Sequence, residues 1–225
     1  MLFCILTIQN IPDNIGVDNL LFLYGSRGVG AGLVVNRDVY RGISQGAGEI
    51  GHTFILQKNG SEKIIDDCLT LEELVSIPSI ITRAKKIAEN NPSSEFTKKT
   101  RNLEENDLID RVFQLARDND PLAENLVQRI GQYLGLALVN AINFVNPELI
   151  LLGGLFAEHK DLFLPPIRTM VDDLTFANIG KKVDIRATEF GWQAGLIGAG
   201  ALALAHFFYL PPKDAGSILE NWSGK

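Results

Sequence analysis

The residues best suited to chemistry fall within one short span, 20–52, which reads LLFLYGSRGVGAGLVVNRDVYRGISQGAGEIGH. Near its end Glu49 and His52 stand three residues apart on a glycine-flanked turn, Gly48-Glu49-Ile50-Gly51-His52. A carboxylate accepting two hydrogen bonds, beside an imidazole that donates or accepts, suits a pair of vicinal hydroxyls. Earlier in the span Gly28, Gly30 and Gly32 alternate with other residues. Such a backbone can come close to a bulky anion, a phosphate foremost, since no Cβ stands in the way and positive φ is accessible. A tight hairpin with no room for side chains produces the same pattern, and both readings stand at this point. Far downstream, the apolar run 148–152 ends in Gly153-Gly154. That places two glycines at the carboxyl edge of a sheet, where open α/β folds take their ligands. Two more histidines, His159 and His206, have no carboxylate at useful spacing and read as structural.

The elements that must hold these residues follow from periodicity and punctuation. Short apolar runs at 20–24, 30–36, 38–41 and 52–57, with Asn59-Gly60 turning into 62–66, predict strands joined as an antiparallel meander. Thr70 and Glu73 have capping-box spacing and open a helix, which Pro78 breaks or kinks before it resumes over 80–90. Residues 91–102, with the basic cluster Lys98, Lys99 and Arg101, read as a solvated loop. A helix follows over 103–119. Pro121 starts the longest one, where Leu122, Leu126, Ile130, Leu134, Leu138 and Ile142 recur every four residues and Gly131 and Gly135 permit close approach. It stops at Asn146-Pro147. The uninterrupted strand 148–152 reads as central and buried on both faces. A helix at 161–174 carrying Pro165 and Pro166, a strand at 183–187 and a terminal helix at 192–208 complete the pattern.

Composition narrows the function. A chain of 225 residues with 46% hydrophobic content can bury a large core. Its formal net charge of −6 argues against direct nucleic-acid binding, which needs clustered Lys and Arg. Two cysteines, Cys4 and Cys68, make no disulfide framework and fit a reducing, cytoplasmic setting. The apolar N-terminus MLFCILTIQ is too short for a signal peptide or a span. The stretch 192–210 reaches the ~20 residues a bilayer needs. Gln193 and His206 interrupt it, and its many Gly and Ala residues favour a buried helix over a membrane one.

The order of the segments GVGAGLVVNRDVYRG (28–42), GAGEIGH (46–52) and NPELILLGG (146–154) resembles the ROK family of sugar kinases and repressors, within the actin-like ATPase superfamily. The resemblance runs over roughly 20–208. It implies an α/β, ribonuclease H-like C-terminal lobe with a mixed sheet flanked by helices, spanning 20–210, after an unassigned segment 1–19 and before a flexible tail 211–225. It further implies that Gly28, Gly30 and Gly32 form a phosphate loop, that Glu49 and His52 bind sugar, and that Gly153 and Gly154 lie near a nucleotide.

The departures from the family pattern matter as much. The family's first lobe supplies an early Asp-Gly-Gly-Thr loop and an Asn-Asp pair whose Asp is the general base, and neither is found here. ATP-binding members carry Gly-Thr-Gly where this chain has Ser26-Arg27-Gly28, a change that resembles the repressor branch; Arg27 reads either as a phosphate partner or as an exposed loop residue. In the zinc segment only Cys68 is retained, with Ser61 and Lys63 at the other thiolate positions, so no metal site is expected and Cys68 reads as a small buried thiol. The sugar-binding Glu expected two residues after that Cys is Thr70.

The resulting expectation is the sugar-sensing, dimerising lobe of a transcriptional regulator. It has no catalytic residue of its own, no cofactor, no membrane contact, and a sugar or sugar phosphate and a second copy of itself as partners. The alternative is a truncated sugar kinase, which would use ATP and Mg²⁺ and need a first lobe.

Overall fold

In the computed structural model, residues 17–56 and 68–193 are described. The expected strand at 62–66, the terminal helix beyond Gln193, His206, Cys4 and the 211–225 tail lie outside them. A five-stranded mixed sheet forms the centre, in the order β3-β2-β1-β6-β7. Its strands are β1 (Leu20–Gly25), β2 (Val29–Val35), β3 (Asp38–Val39), β6 (Leu149–Gly154) and β7 (Asp184–Ala187). β1, β2 and β3 pair antiparallel, as the meander predicted, and β6 joins β1 parallel with Leu20 opposite Leu149. β7 extends the sheet parallel to β6.

The meander does not continue into the fourth strand. β4 (Phe54–Leu56) pairs antiparallel with β5 (Cys68–Thr70) in a separate two-stranded sheet. β3, the edge strand that a fourth would have to join, is only two residues long, and beyond it the Ala31 N–H of β2 donates to the Gly48 carbonyl at 2.7 Å. Cys68 therefore lies in a strand and is only half-buried.

Alternation along the strands sorts the core onto two faces. Leu21, Leu23, Val29, Ala31, Ile150, Leu152 and Ile185 join the helices in the main core. Leu20, Phe22, Val34, Leu149 and Leu151 form a smaller cluster on the other face.

The helices are α1 (Leu71–Val75), α2 (Ile77–Asn90), α3 (Glu95–Thr100), α4 (Glu105–Arg117), α5 (Pro121–Val145), α6 (Leu155–Glu158) and α7 (Lys160–Leu174). The Thr70–Glu73 capping box opens α1 as its spacing requires. α1 ends at Ser76, and Pro78 falls in the first turn of α2, where its missing N–H costs nothing. The expected loop 91–102 is instead interrupted by α3, capped by the Ser94 hydroxyl, which accepts from the Thr97 N–H at 3.1 Å. Lys98 and Lys99 sit in the last turn of that helix, Lys98 pairing with Glu95 at 2.7 Å, and Arg101 follows as its C-cap. α5 starts on Asp120, whose carboxylate accepts from the N–H groups of Leu122 and Ala123, and ends on Asn146 in the left-handed region.

The α5–α7 crossing is tight because α5 presents glycines to it. A Cβ on Gly131 would lie 2.4 Å from Pro166 Cγ, and one on Gly135 would lie 2.6 Å from Met170 Cβ. Gly131→Val should overfill this crossing and destabilise the fold by about 2 kcal/mol. A thermal melt should show it as a transition lower by roughly 4–8 °C.

Candidate functional site

Three sequence motifs converge on one edge of the sheet. The β1–β2 turn (25–28) and the end of β6 lie side by side, with Tyr24 opposite Gly153 and Gly25 opposite Gly154. The GEIGH turn is laid against the start of β2. A Cβ on Gly48, whose φ is +89°, would lie 1.9 Å from the Ala31 carbonyl oxygen, and one on Gly51 would lie 2.1 Å from that of Val29. The two glycines thus allow backbone-to-backbone contact that any side chain would block.

Between them the chain makes a 3-10 turn, Ile50–His52, which brings Glu49 and His52 to the same side with Glu49 Oε2 and His52 Nε2 3.9 Å apart. Both side chains are more than half exposed, at 52% and 68%. The Thr53 hydroxyl donates to the Ile50 carbonyl at 2.7 Å, and the Thr53 carbonyl accepts from the Leu71 N–H, tying the turn to α1. The result is a carboxylate–imidazole pair on a fixed backbone, open to solvent.

The glycine series divides by role. Gly30 and Gly32 lie within β2, opposite Tyr24 and Phe22 of β1. Residues directly opposite in an antiparallel ladder share a face, so these glycines leave space beside two aromatic rings whose centroids are 6.2 Å apart. Gly153 answers to the same rings, since a Cβ there would lie 2.5 Å from Phe22 Cζ. Gly154 has φ +61°, and a Cβ on it would meet the Gly25 carbonyl oxygen at 2.2 Å. It belongs to β6 instead of following it.

Gly28 belongs to the turn. A Cβ there would lie 3.0 Å from Glu72 Oε2, and the same oxygen accepts from the Val29 N–H at 2.8 Å. A carboxylate from α1 therefore already engages an amide of the turn. Arg27 points outward and reaches Glu105 only at 3.8 Å, an exposed pair of little energetic weight. Sequence reading missed Glu72, because a partner 43 residues away leaves no local pattern.

Thr70, at the position of the expected sugar-binding Glu, is committed to capping α1. Its N–H and hydroxyl donate to Glu73 Oε2 at 2.7 and 2.8 Å. Those bonds, the backbone one foremost, hold the Glu73 pKa below its ordinary value. For zinc, Cys68 and His52 are the surviving family positions among the described residues, and no group of three His, Cys, Asp or Glu there could hold a metal. Ser61 and Lys63, which the sequence has at the other two thiolate positions, are not zinc-ligand types.

A second polar cluster lies away from this edge. Arg117 forms a two-pronged pair with Asp161 at 2.7 and 2.8 Å, and its Nη2 is 3.1 Å from His159 Nδ1. His159 stacks on Phe113 with centroids 3.8 Å apart. Burial, aided by the Arg117 charge, pulls its pKa down. The expected structural role fits this packing, although a carboxylate does reach His159 through Arg117.

Residues 9–206 match the ROK family, and the chain belongs to it. It is 30% identical over 189 residues to a glucokinase of Halalkalibacterium halodurans, covering 83% of this chain and 56% of that protein. It is 26% identical over 194 residues to the xylose repressor of Bacillus subtilis, covering 84% and 45%. Among solved structures, a ROK family transcriptional regulator described as a homolog of the E. coli Mlc protein superposes with a TM-score of 0.74 at 27% identity, covering 90% of this chain and 50% of that one. The chain thus spans about half the length of the relatives it matches. The actin-like fold inferred from the motifs is shown; kinase and repressor relatives stand at similar identity. No helix among the described residues is long and apolar enough to cross a membrane.

The Glu72 contact is open to test. Glu72→Ala leaves the Val29 amide without its acceptor and should cost about 1–2 kcal/mol. Hydrogen exchange at that amide should accelerate, while Glu72→Gln, which keeps an acceptor oxygen, should change it much less.

Proposed function

We propose that this chain is the sugar-sensing lobe, 20–210, of a ROK transcriptional regulator, in which Glu49 and His52 hold sugar hydroxyls and no phosphoryl transfer takes place. The observation that carries the reading is the pairing of an open Glu49–His52 couple with a glycine turn whose Val29 amide is engaged by Glu72. A phosphate settling at that amide would have to displace a carboxylate of like charge. Ser26-Arg27 in place of the Gly-Thr of ATP-binding members points the same way. Gly28, Gly30, Gly32, Gly153 and Gly154 then serve the shape of the sheet edge, and neither ATP nor a metal is required. DNA contact falls to another part of the regulator, in keeping with the net charge of −6, and the protein acts in the cytoplasm.

Titration calorimetry with glucose, xylose, N-acetylglucosamine and their phosphates should give saturable binding of at least one. Glu49→Ala and His52→Ala should each weaken it by about tenfold, the loss typical of a charge-assisted hydrogen bond. Absence of any response, or binding indifferent to both substitutions, removes the reading. The 30% identity to a glucokinase favours a second one, in which the same edge serves an ATP-dependent sugar kinase. Sugar-dependent ADP release above background in a coupled assay would select it.

Pairing with a second copy belongs to the same proposal. Phe144, Leu174 and Phe176, at the ends of α5 and α7 and just beyond, are 92%, 51% and 77% exposed. Gel filtration should show a dimer, and Phe144→Ser combined with Phe176→Ser should shift it toward monomer.

A further inference from the structure

Away from the sheet edge, a concave pocket of about 330 Å³ opens between α2 and α5, and every charged residue lining it is a cation. Arg83 and Lys86 come from α2 and Arg129 from α5, with Asn90, Asn125 and Tyr133 as the polar remainder. The Arg83 guanidinium lies over the Tyr133 ring, 5.6 Å from its centroid. Arg83 is half-buried, and Lys86 and Arg129 are exposed. None of the three has a carboxylate partner among the described residues, whereas Arg27, Arg37, Lys98, Arg117, Arg168 and Arg186 all do.

In a chain of net charge −6, three such cations facing one concavity are an arrangement that solvation alone does not favour. Like charges brought together repel, and Arg83 gives up part of its hydration as well. Burial above all, with the Arg129 charge added, draws the Arg83 pKa below its ordinary value, partly offset by Tyr133. An anion in the pocket would reverse both costs. A guanidinium fork fixed by an aromatic ring presents paired donors of the kind that phosphate oxygens accept. The two amides offer donors for the rest of a small molecule. A pocket near the lower end of the range for small-molecule sites favours a compact ligand over a nucleoside triphosphate.

We propose that this pocket binds a small phosphomonoester, with Arg83 as the positioned anchor and Lys86 and Arg129 as the charges that close over it. The site is separate from the Glu49–His52 edge and does not rest on the sugar-sensing reading.

Titration of the full chain with glycerol 3-phosphate, followed by calorimetry and ³¹P line broadening, tests it, with glycerol as the neutral control and inorganic phosphate as the competing source of the same chemistry. Saturable binding of glycerol 3-phosphate, tighter than that of inorganic phosphate and absent for glycerol, is expected. The exposed pair Lys86→Gln and Arg129→Gln, combined and shown by an unchanged melting temperature to fold, should weaken it by about tenfold or more. Arg83→Lys, which keeps charge but loses the fork, should also weaken it, and Glu49→Ala should leave it unchanged. No saturable binding, tighter binding of inorganic phosphate, or a smaller effect of the double variant overturns the proposal.

Discussion

The parallel ladder between β1 and β6 is the constraint on which the rest of the architecture depends. It joins residues more than a hundred positions apart, Leu20 to Leu149 through Gly25 to Gly154, and so sets the sheet edge at which the glycine turn and the Glu49–His52 pair gather. The antiparallel β1–β2 ladder shares β1 and returns the chain through the 25–28 turn at that same edge. With these two registers fixed, the GEIGH turn has a single backbone to rest on, the outer side of β2 between Val29 and Ala31. A slip of one residue in either ladder would turn Leu21 and Leu23 away from the helices and exchange them with Leu20 and Phe22. Burial of both apolar faces therefore fixes the site indirectly, through register.

Glycine has two duties along this edge, and they are compatible. Gly30, Gly32 and Gly153 leave room beside Phe22 and Tyr24, while Gly48, Gly51 and Gly154 let backbone meet backbone. At Gly153, Gly48, Gly51 and Gly154 a Cβ is excluded by the protein's own atoms. Gly30 and Gly32 do take part in the β1–β2 hairpin, while use of the alternating glycines by a phosphate would depend on which amides are still unengaged. At Val29 the amide is engaged, by Glu72.

Local signals in the sequence were legible where local physics decided the outcome. The Thr70–Glu73 box, Pro121 at the start of α5, the four-residue repeat of that helix and its end at Asn146 all correspond to the observed caps and faces. The apolar run before Gly153 did mark a buried central strand. The misreadings share a different cause. Residues 95–100 form a helix because Ser94 and Thr97 exchange hydrogen bonds that a polar composition conceals. β4 left the meander, whose third strand is only two residues long, and pairs instead with β5, a partner more than ten residues away. Glu72 and the Arg83–Lys86–Arg129 pocket likewise exist only after distant elements have been brought together. At the candidate site the sequence supplied candidates only, while the fold determined which of their neighbours were already occupied.

Position 70 shows how a single substitution links stability to recognition. The family pattern calls for a glutamate there as a sugar contact, and this chain has a threonine whose N–H and hydroxyl are both spent on Glu73. A carboxylate at that position would accept the Glu73 N–H less well in this geometry and would face the Glu73 charge across the same turn. The threonine removes that repulsion and completes the capping box, so α1 is firmly seated; α1 in turn carries Glu72 to the Val29 amide. Helix capping and closure of the glycine turn are thus one connected arrangement, built from a residue that stands where the family pattern has a glutamate. Glu49 and His52, the residues proposed to recognise a sugar at this edge, are exposed and hence able to exchange water for hydroxyls without breaking any part of the fold.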